Sequence, residues 1–146
     1  MPKTDVNVAA NATVTTSFNP DDANNLVDED TATSLVSAPG TPIIVDLGQV
    51  ETIKSFTLSR VSSSANFGTL SATTPEILVE LSSDGIAYEA SNISVIVGDV
   101  DCINSTRGQT TMKCEMANGY DVSHIRITTR NGKSYQFTEL EAIAEK

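Results

Sequence analysis

Short stretches of alternating apolar and polar residues recur along the chain. In one of them Ile77, Val79 and Leu81 fall on one side and Glu80 on the other, which is the period of a half-buried β-strand. The same pattern predicts further strands over residues 12–16, 43–46, 52–58, 93–97, 123–129 and 138–143. No stretch shows an equally clear helical period, so the pattern predicts an all-β chain.

Turn-forming residues stand between these stretches. They are Asn19-Pro20-Asp21-Asp22, Pro39-Gly40, Leu47-Gly48, Ser83-Asp84-Gly85, Asn118-Gly119 and Asn131-Gly132. Many short strands separated by such turns predict a β-sandwich or jelly roll. With 146 residues, no internal repeat and no visible linker, the sequence predicts a single domain over residues 1–146.

The charge balance excludes several classes of partner. The chain carries 9 Lys and Arg residues against 19 Asp and Glu residues, a formal net charge of -10. Such a field repels polyanions, so we expect no nucleic acid and no anionic membrane surface as partner. The predicted loop over 18–24 is acidic, whereas membrane insertion needs apolar residues with basic neighbours, so we expect no membrane insertion.

The two cysteines, Cys102 and Cys114, flank a run rich in Asn, Ser, Thr and Gly, which is typical of a loop or hairpin tip. Without neighbouring histidines they do not fill a tetrahedral zinc site, and no CxxC motif is present. A disulfide is the favoured interpretation and implies an oxidising compartment. Free thiols in a cytosolic protein are the alternative.

No catalytic constellation is visible in the sequence. The chain has one histidine, His124, which the strand pattern places on an exposed face with Val122 and Arg126. It has no G-x-S-x-G motif and no phosphate-binding glycine loop. We therefore predict that the protein is not an enzyme.

An acidic segment over residues 25–33 has the composition of a calcium loop. A hard cation prefers about six to eight oxygen ligands, and closely spaced Asp and Thr side chains with main-chain carbonyls supply many of them. The alternative is a turn or helix N-cap formed by Asp28 and Asp30 without metal.

A second candidate site combines Arg60 with Asn66 and Phe67 in the segment that joins two predicted strands. Sugars are recognised by planar polar groups that bind adjacent hydroxyls and by an aromatic ring against the C–H face. The alternative is an exposed Arg60, a turn at Asn66 and a Phe67 that closes the end of the sandwich.

Ordered motifs carry a resemblance to the factor V/VIII type C (discoidin) superfamily, and within it to family 32 carbohydrate-binding modules. The motifs are NNLVDEDTAT at 24–33, IIVDLGQVETIKSFTLSR at 43–60, EILVELSSDGIAYE at 76–89, YDVSHIRIT at 120–128 and FTELEA at 137–142. The resemblance implies an eight-stranded antiparallel β-sandwich, a galactose-binding-domain-like jelly roll with ligand loops at one end. The chain departs from the pattern in having no Trp.

The resemblance also implies roles for individual residues. A carboxylate from the last strand, here Glu139, completes the family's calcium site beside the carbonyl of Thr138. The remaining ligands are then the Asn25 and Asp30 carbonyls, the Asp28 carboxylate, and the hydroxyl and carbonyl of Thr33, with the ion in a structural role. Arg60 and Asn66 resemble the sugar-binding pair of galactose-binding relatives. Tyr135 stands where relatives place a further aromatic residue.

The leading hypothesis is a non-catalytic carbohydrate-binding module for a galactose-like glycan unit, with a structural calcium. Such a module would be tethered to other domains of a larger secreted, glycan-active enzyme or adhesin. We expect an extracellular location, with the cell surface or periplasm as variants. The alternative is a discoidin-like module for protein binding or adhesion, or a calcium-stiffened spacer without a sugar ligand.

Overall fold

A computed structural model describes residues 4–10, 12–30, 32–60, 77–90, 102–107, 111–129 and 135–146. The elements follow one another as β1 (Asp5–Asn7), β2 (Thr13–Thr15), a 3₁₀ helix (Pro20–Leu26), β3 (Leu35–Val36), β4 (Ile43–Arg60), β5 (Ile77–Ser82), β6 (Glu89–Ala90), β7 (Cys102–Arg107), β8 (Thr111–Thr129) and β9 (Gln136–Glu145). Two sequence predictions, the strand over 93–97 and the turn at Asn131-Gly132, lie outside these residues.

The strands pair antiparallel in the order β1-β9-β4-β8-β5-β6, while β2 pairs with β4, β3 with β9 and β7 with β8. The predicted antiparallel β-sandwich is confirmed. The described residues form nine strands, one more than the resemblance implied. The shortest, β3 and β6, have two residues each and pair with one neighbour only.

The predicted strands over 43–46 and 52–58 are parts of one strand, β4, of 18 residues. The predicted turn at Leu47-Gly48 is a bulge inside it, since the pairing with β8 shifts register between Asp46 and Glu51. Gly48 has φ +87, and its N–H donates a 2.8 Å hydrogen bond to Asp46 Oδ1. A bulge bends a strand and increases its twist, which lets one long strand serve both layers of a sandwich.

The predicted turn at Asn118-Gly119 is wrong, because both residues lie inside β8. A Cβ on Gly119 would stand 2.3 Å from the methyl carbon of Thr52 on the neighbouring strand. This glycine therefore permits a close approach of two strands where the sequence pattern indicated a reversal of the chain.

The core follows the alternation that the sequence predicted. Ile77, Val79 and Leu81 are fully buried along β5, and the same alternation recurs over parts of β4 and β8, whereas β9 has four consecutive buried residues at 137–140. The largest fully buried side chains are Phe56, Phe137, Leu26, Leu35, Ile43, Ile53, Leu58, Ile77, Leu81 and Met112. The 3₁₀ helix contributes Ala23 and Leu26 to this core and so anchors the acidic segment that follows it.

Cys102 and Cys114 form a disulfide, with Cα atoms 5.2 Å apart, between the antiparallel strands β7 and β8. The predicted bridge is thus present, and the described residues between the cysteines, 103–107 and 111–113, belong to this strand pair. No helix among the described residues has the length and apolarity needed to cross a membrane.

Candidate functional site

Arg60 is the last residue of β4 and pairs with Phe137 near the start of β9. Its guanidinium carbon lies 5.2 Å from the centre of the Tyr135 ring, which is a cation–π distance. The Tyr135 ring stacks in turn on Phe137, with ring centres 5.9 Å apart and planes at 23°. Two residues that the sequence singled out for sugar binding are therefore in contact, although 75 positions separate them.

Main-chain and hydroxyl contacts fix the position of Tyr135. Its N–H donates a 3.0 Å hydrogen bond to Ser37 Oγ, and the Ser37 N–H donates a 2.9 Å bond to the Tyr135 carbonyl. Ser37 follows β3 directly, so the short strand β3 holds this end of β9 in place.

Exposure limits what this pair can offer a ligand. Arg60 and Tyr135 are each only 6% exposed. The other two predicted sugar contacts, Asn66 and Phe67, lie outside the described residues. The structure thus brings Arg60 and Tyr135 together as a stacked, mostly covered pair beneath the end of the sandwich.

The predicted calcium loop contains several local hydrogen bonds. Asp28 Oδ1 accepts from the Asp30 N–H at 3.0 Å, and Asp28 Oδ2 lies 2.5 Å from Thr33 Oγ1. Asp30 Oδ1 accepts from the Ala32 N–H at 2.9 Å, so the Asp30 side chain is used within the loop. At the base of the loop, the Asn25 side-chain amide donates a 2.9 Å bond to the Ser34 carbonyl.

The last strand meets this loop at Glu139. The Glu29 N–H donates a 3.0 Å hydrogen bond to Glu139 Oε1, across 110 residues of sequence. Glu29 has φ +59, in the left-handed region. Glu139 and its neighbour Thr138 are buried, and Glu139 is 4% exposed.

The electrostatic state of Glu139 is unusual for a carboxylate. Its pKa is raised to about 7, mainly by burial and in part by the nearby Asp28, Glu141 and Glu29 carboxylates, while the hydrogen bond from the Glu29 N–H acts in the opposite direction. Within the described part of the chain, Glu139 Oε2 is a buried oxygen without a hydrogen-bond partner. A buried carboxylate oxygen among other acids is a group that a cation would satisfy.

The donor set fits a hard cation held mainly by neutral oxygens. Among the described residues no group of three or more His, Cys, Asp or Glu side chains has the geometry of a metal cluster. The predicted ligands include only two carboxylates, those of Asp28 and Glu139, with carbonyls and the Thr33 hydroxyl supplying the rest. Oxygen-only sets of this kind suit calcium better than zinc, whose structural sites use Cys and His ligands.

His124 lies in a contact that the sequence did not predict. Its Nδ1 is 2.7 Å from Ser123 Oγ, and its Nε2 is 3.5 Å from Asp46 Oδ2. In a hydrolytic triad the imidazole presents Nε2 to the serine and Nδ1 to the acid, which is the reverse of this arrangement. Ser123 is itself buried, and its hydroxyl is 3.4 Å from the Ser82 carbonyl.

The strand pattern placed Val122 and Arg126 with His124 on an exposed face, and for Val122 this is wrong. Val122 is fully buried, although it lies two positions from the half-exposed His124. It pairs with Glu51 at the point where the β4–β8 register shifts, so the simple alternation does not extend through the bulge.

A cluster on the outer sheet face was missed by sequence reasoning. Arg126 Nε and Nη2 bind Glu80 Oε1 and Oε2 at 2.9 Å and 3.0 Å, and the guanidinium carbon lies 4.1 Å from the Tyr88 ring centre. Glu80 and Arg126 are register partners on β5 and β8. Knowledge of that register would have revealed the pair, because opposite charges on directly facing positions attract.

No family model matches this sequence, and no curated protein matches it closely enough to count as a relative. Solved structures do match. The module CpGH89CBM32-6 produced by Clostridium perfringens has 18% identity and a TM-score of 0.66, covering 95% of this chain and 99% of that chain. CpGH89CBM32-4 from the same organism, solved in complex with GlcNAc-α-1,4-galactose, has 16% identity and a TM-score of 0.66, over 97% and 95%.

Chitosan-binding module 1 of a chitosanase/glucanase from Paenibacillus sp. IK-5 is also similar, with 18% identity and a TM-score of 0.62 over 94% of this chain and 98% of that chain. At these identities the likeness shows the fold. The chain has the discoidin-like, galactose-binding-like fold of family 32 carbohydrate-binding modules.

Proposed function

We propose that this protein is a non-catalytic carbohydrate-binding module that recognises a galactose-like glycan unit at the Arg60–Tyr135 end of the sandwich. The observation that carries the proposal is the contact between Arg60 and Tyr135 at the end of β4. The fold supports it, since its solved examples include modules in complex with GlcNAc-α-1,4-galactose and GalNAc-β-1,3-galactose.

The chemistry of the pair suits a sugar. The guanidinium of Arg60 is planar and carries several N–H donors, which match the spacing of adjacent sugar hydroxyls. The stacked rings of Tyr135 and Phe137 hold that plane in one orientation, so less side-chain freedom is lost on binding. Asn66 and Phe67 follow Arg60 along the chain and lie outside the described residues; in this proposal they would supply the second planar group and the ring for the C–H face.

A protein-binding module or a spacer is the second candidate. The low exposure of Arg60 and Tyr135 favours it, because a covered pair stabilises the end of the sandwich without presenting its donors. The two candidates differ in one measurable property: only a carbohydrate-binding module should show glycan-induced chemical-shift changes at the residues around Arg60.

We further propose that one structural calcium ion binds between the loop over 28–33 and the last strand. The buried Oε2 of Glu139, which has no hydrogen-bond partner among the described residues, supports this proposal. Asp28 and Glu139 would supply the carboxylates, Thr33 its hydroxyl and carbonyl, and Asn25, Asp30 and Thr138 their carbonyls. The ion would neutralise the repulsion between these acids and fasten the loop to β9.

The setting that we propose is extracellular, with the module tethered to other domains of a glycan-active enzyme or adhesin. The Cys102–Cys114 disulfide supports an oxidising compartment, because cytosolic thiols are kept reduced. Such tethering is in keeping with the origin of two structural neighbours, one from a family 31 glycoside hydrolase and one from a chitosanase/glucanase.

The test is a titration of the wild-type protein and of Arg60→Lys in calcium buffer. The ligands are methyl galactosides, lactose and a panel of glucosides, and binding is measured by chemical-shift perturbation. Lysine keeps the charge and loses the planar fork, so we expect affinity to fall about tenfold or more, as for loss of a charged hydrogen bond. Perturbed amides should centre on Arg60, Tyr135 and Phe137.

Arg126→Lys is the matched control, because Arg126 also stacks on a tyrosine ring but lies on the outer face of β8. It should bind galactosides as wild type does. Equal binding by Arg60→Lys and wild type would reject the assignment of the site. If no glycan changes the chemical shifts of the wild-type protein, the carbohydrate-binding function is rejected in favour of the spacer or protein-binding module.

A further inference from the structure

A cavity of about 510 Å³ lies at the other end of the sandwich from Arg60. Its volume falls within the roughly 300–1,000 Å³ of small-molecule sites. Its lining includes Val50, Leu81, Asp84, Glu89, Tyr120 and Asp121. These residues come from the β4 bulge, the turn after β5, the strand β6 and the middle of β8.

Strand register places this cavity far from the Arg60–Tyr135 pair. Arg60 pairs with Phe137 and Ile53 pairs with Ala144, so the two positions face opposite ends of β9. Seven residues at roughly 3.3 Å each separate them by about 20 Å. Ile53 is itself paired with Tyr120, and Thr52 with Asp121, on the cavity side. The cavity is therefore a separate place on the molecule from the site of the proposed function.

One part of the lining is apolar and aromatic. Leu81 is fully buried and forms an apolar base, Tyr120 is half-buried, and Val50 is 52% exposed at the bulge. The phenol of Tyr120 donates a hydrogen bond to Glu89 Oε2, which links its ring to the edge strand β6. An aromatic ring beside an aliphatic surface suits the C–H face of a pyranose.

The other part of the lining consists of hydrogen-bond acceptors held in place. Asp84 Oδ1 accepts from the N–H groups of Ile86 and Ala87 at 2.8 Å and 3.0 Å, and these bonds lower the pKa of Asp84. Asp121 Oδ1 accepts from Thr52 Oγ1 at 2.7 Å. Each of these carboxylates, like that of Glu89, has a second oxygen for a ligand, so the acceptors are preorganised.

Charge selects among sugars. Among the described residues, the lining contains the carboxylates of Asp84, Glu89 and Asp121 and no Lys, Arg or His. We propose that this cavity is a second carbohydrate site that takes an amino sugar with a free, protonated amine, its ring against Tyr120 and its ammonium group among the three carboxylates. An ammonium group donates three hydrogen bonds and offsets the like-charge repulsion of the acids. A neutral or anionic sugar lacks that compensation.

The test compares the trisaccharide of glucosamine with that of N-acetylglucosamine, at a pH at which the free amines are protonated, by chemical-shift perturbation. We expect only the glucosamine trisaccharide to perturb the amides of 82–87 and of Tyr120 and Asp121. The double variant Asp121→Asn/Glu89→Gln removes two charges and keeps the acceptors for Thr52 and Tyr120. Its affinity should fall about tenfold or more, as for loss of a charged contact.

The double variant Asp21→Asn/Asp22→Asn is the matched control, because it removes two charges from the exposed start of the 3₁₀ helix. It should bind as wild type does, and so should Arg60→Lys, which separates this site from that of the proposed function. The proposal is overturned if the perturbations spread over the acidic surface. It is equally overturned if the cavity variant keeps wild-type affinity or the N-acetylated trisaccharide binds as tightly.

Discussion

At the scale of single residues, Glu139 shows how tertiary contacts change the chemistry of a side chain. In the sequence it is one acid among 19, and only the family resemblance assigns it a role. The fold buries it beside the Asp28 carboxylate, and burial is the largest cause of the rise of its pKa to about 7. A cation at this position would restore the ionised form and remove the cost of burying a charge.

This environment predicts a pH dependence of the metal-free protein. The folded chain holds the Glu139 proton more tightly than the unfolded chain, in which the pKa is near 4.5. Between those pKa values the native state binds more protons, so the Glu139 contribution to the free energy of unfolding is lost as pH rises from about 4.5 to about 7. Urea unfolding in chelator across this range measures it.

Glu139→Gln does not titrate, so its free energy of unfolding should lack this loss, whereas Glu141→Gln, on the exposed side of β9, should retain it. Parallel pH profiles for wild type and Glu139→Gln would show that the carboxyl ionises in the folded state as freely as in the unfolded state.

At the scale of elements, the disulfide joins two strands that also pair with each other. Strand β7 pairs only with β8 among the described residues, whereas β8 also pairs with β4 and β5. The bridge between Cys102 and Cys114 therefore acts on the strand with fewer neighbours. Its effect on stability should be local, because β8 keeps its pairing with the core of the sheet.

Reduction of the disulfide should loosen β7 before the rest of the sandwich. For a sequence separation of 12 residues, the chain-entropy model gives about 3 kcal/mol of stabilisation. Hydrogen exchange measured on oxidised and reduced protein should show faster exchange over 102–107 and 111–116. Exchange along the β4–β9 pairing is the internal control, and an equal acceleration there would contradict a local role. Intact mass of the oxidised chain should be lower by two hydrogens.

At the scale of the whole molecule, the proposed calcium ion joins segments that are far apart in sequence. The Glu29 N–H already donates a hydrogen bond to the Glu139 carboxylate, and Asp28 lies beside the same carboxyl. An ion at this point would couple the loop after the 3₁₀ helix to the last strand, and thereby to the core. Binding to the native state alone would stabilise the entire fold by mass action.

Thermal unfolding with calcium and with chelator tests this coupling. At a free calcium concentration of about 100 times its dissociation constant, the ion should add ~2.7 kcal/mol to the free energy of unfolding and raise the midpoint. Glu139→Gln should lose most of that response, while Glu141→Gln should keep it. A wild-type midpoint that is the same in calcium and in chelator would exclude the metal site.

The sequence by itself determined the fold class, most strand positions and the inward-facing residues. This succeeded because side chains alternate across a strand every two residues, so the pattern of Ile77, Val79 and Leu81 reports burial locally. The disulfide was predictable for a related reason, since only two cysteines occur and they stand at hairpin spacing.

The tertiary structure decided the contacts that depend on which strands are neighbours in the sheet. Asn118-Gly119 has the composition of a turn, whereas the Thr52 side chain that approaches Gly119 is 67 positions away in sequence. The same holds for the Arg126–Glu80 pair, the burial of Arg60 on Tyr135 and the cavity between the β4 bulge and the turn after β5. Register and bulges set these contacts, and neither leaves a signal within a single strand.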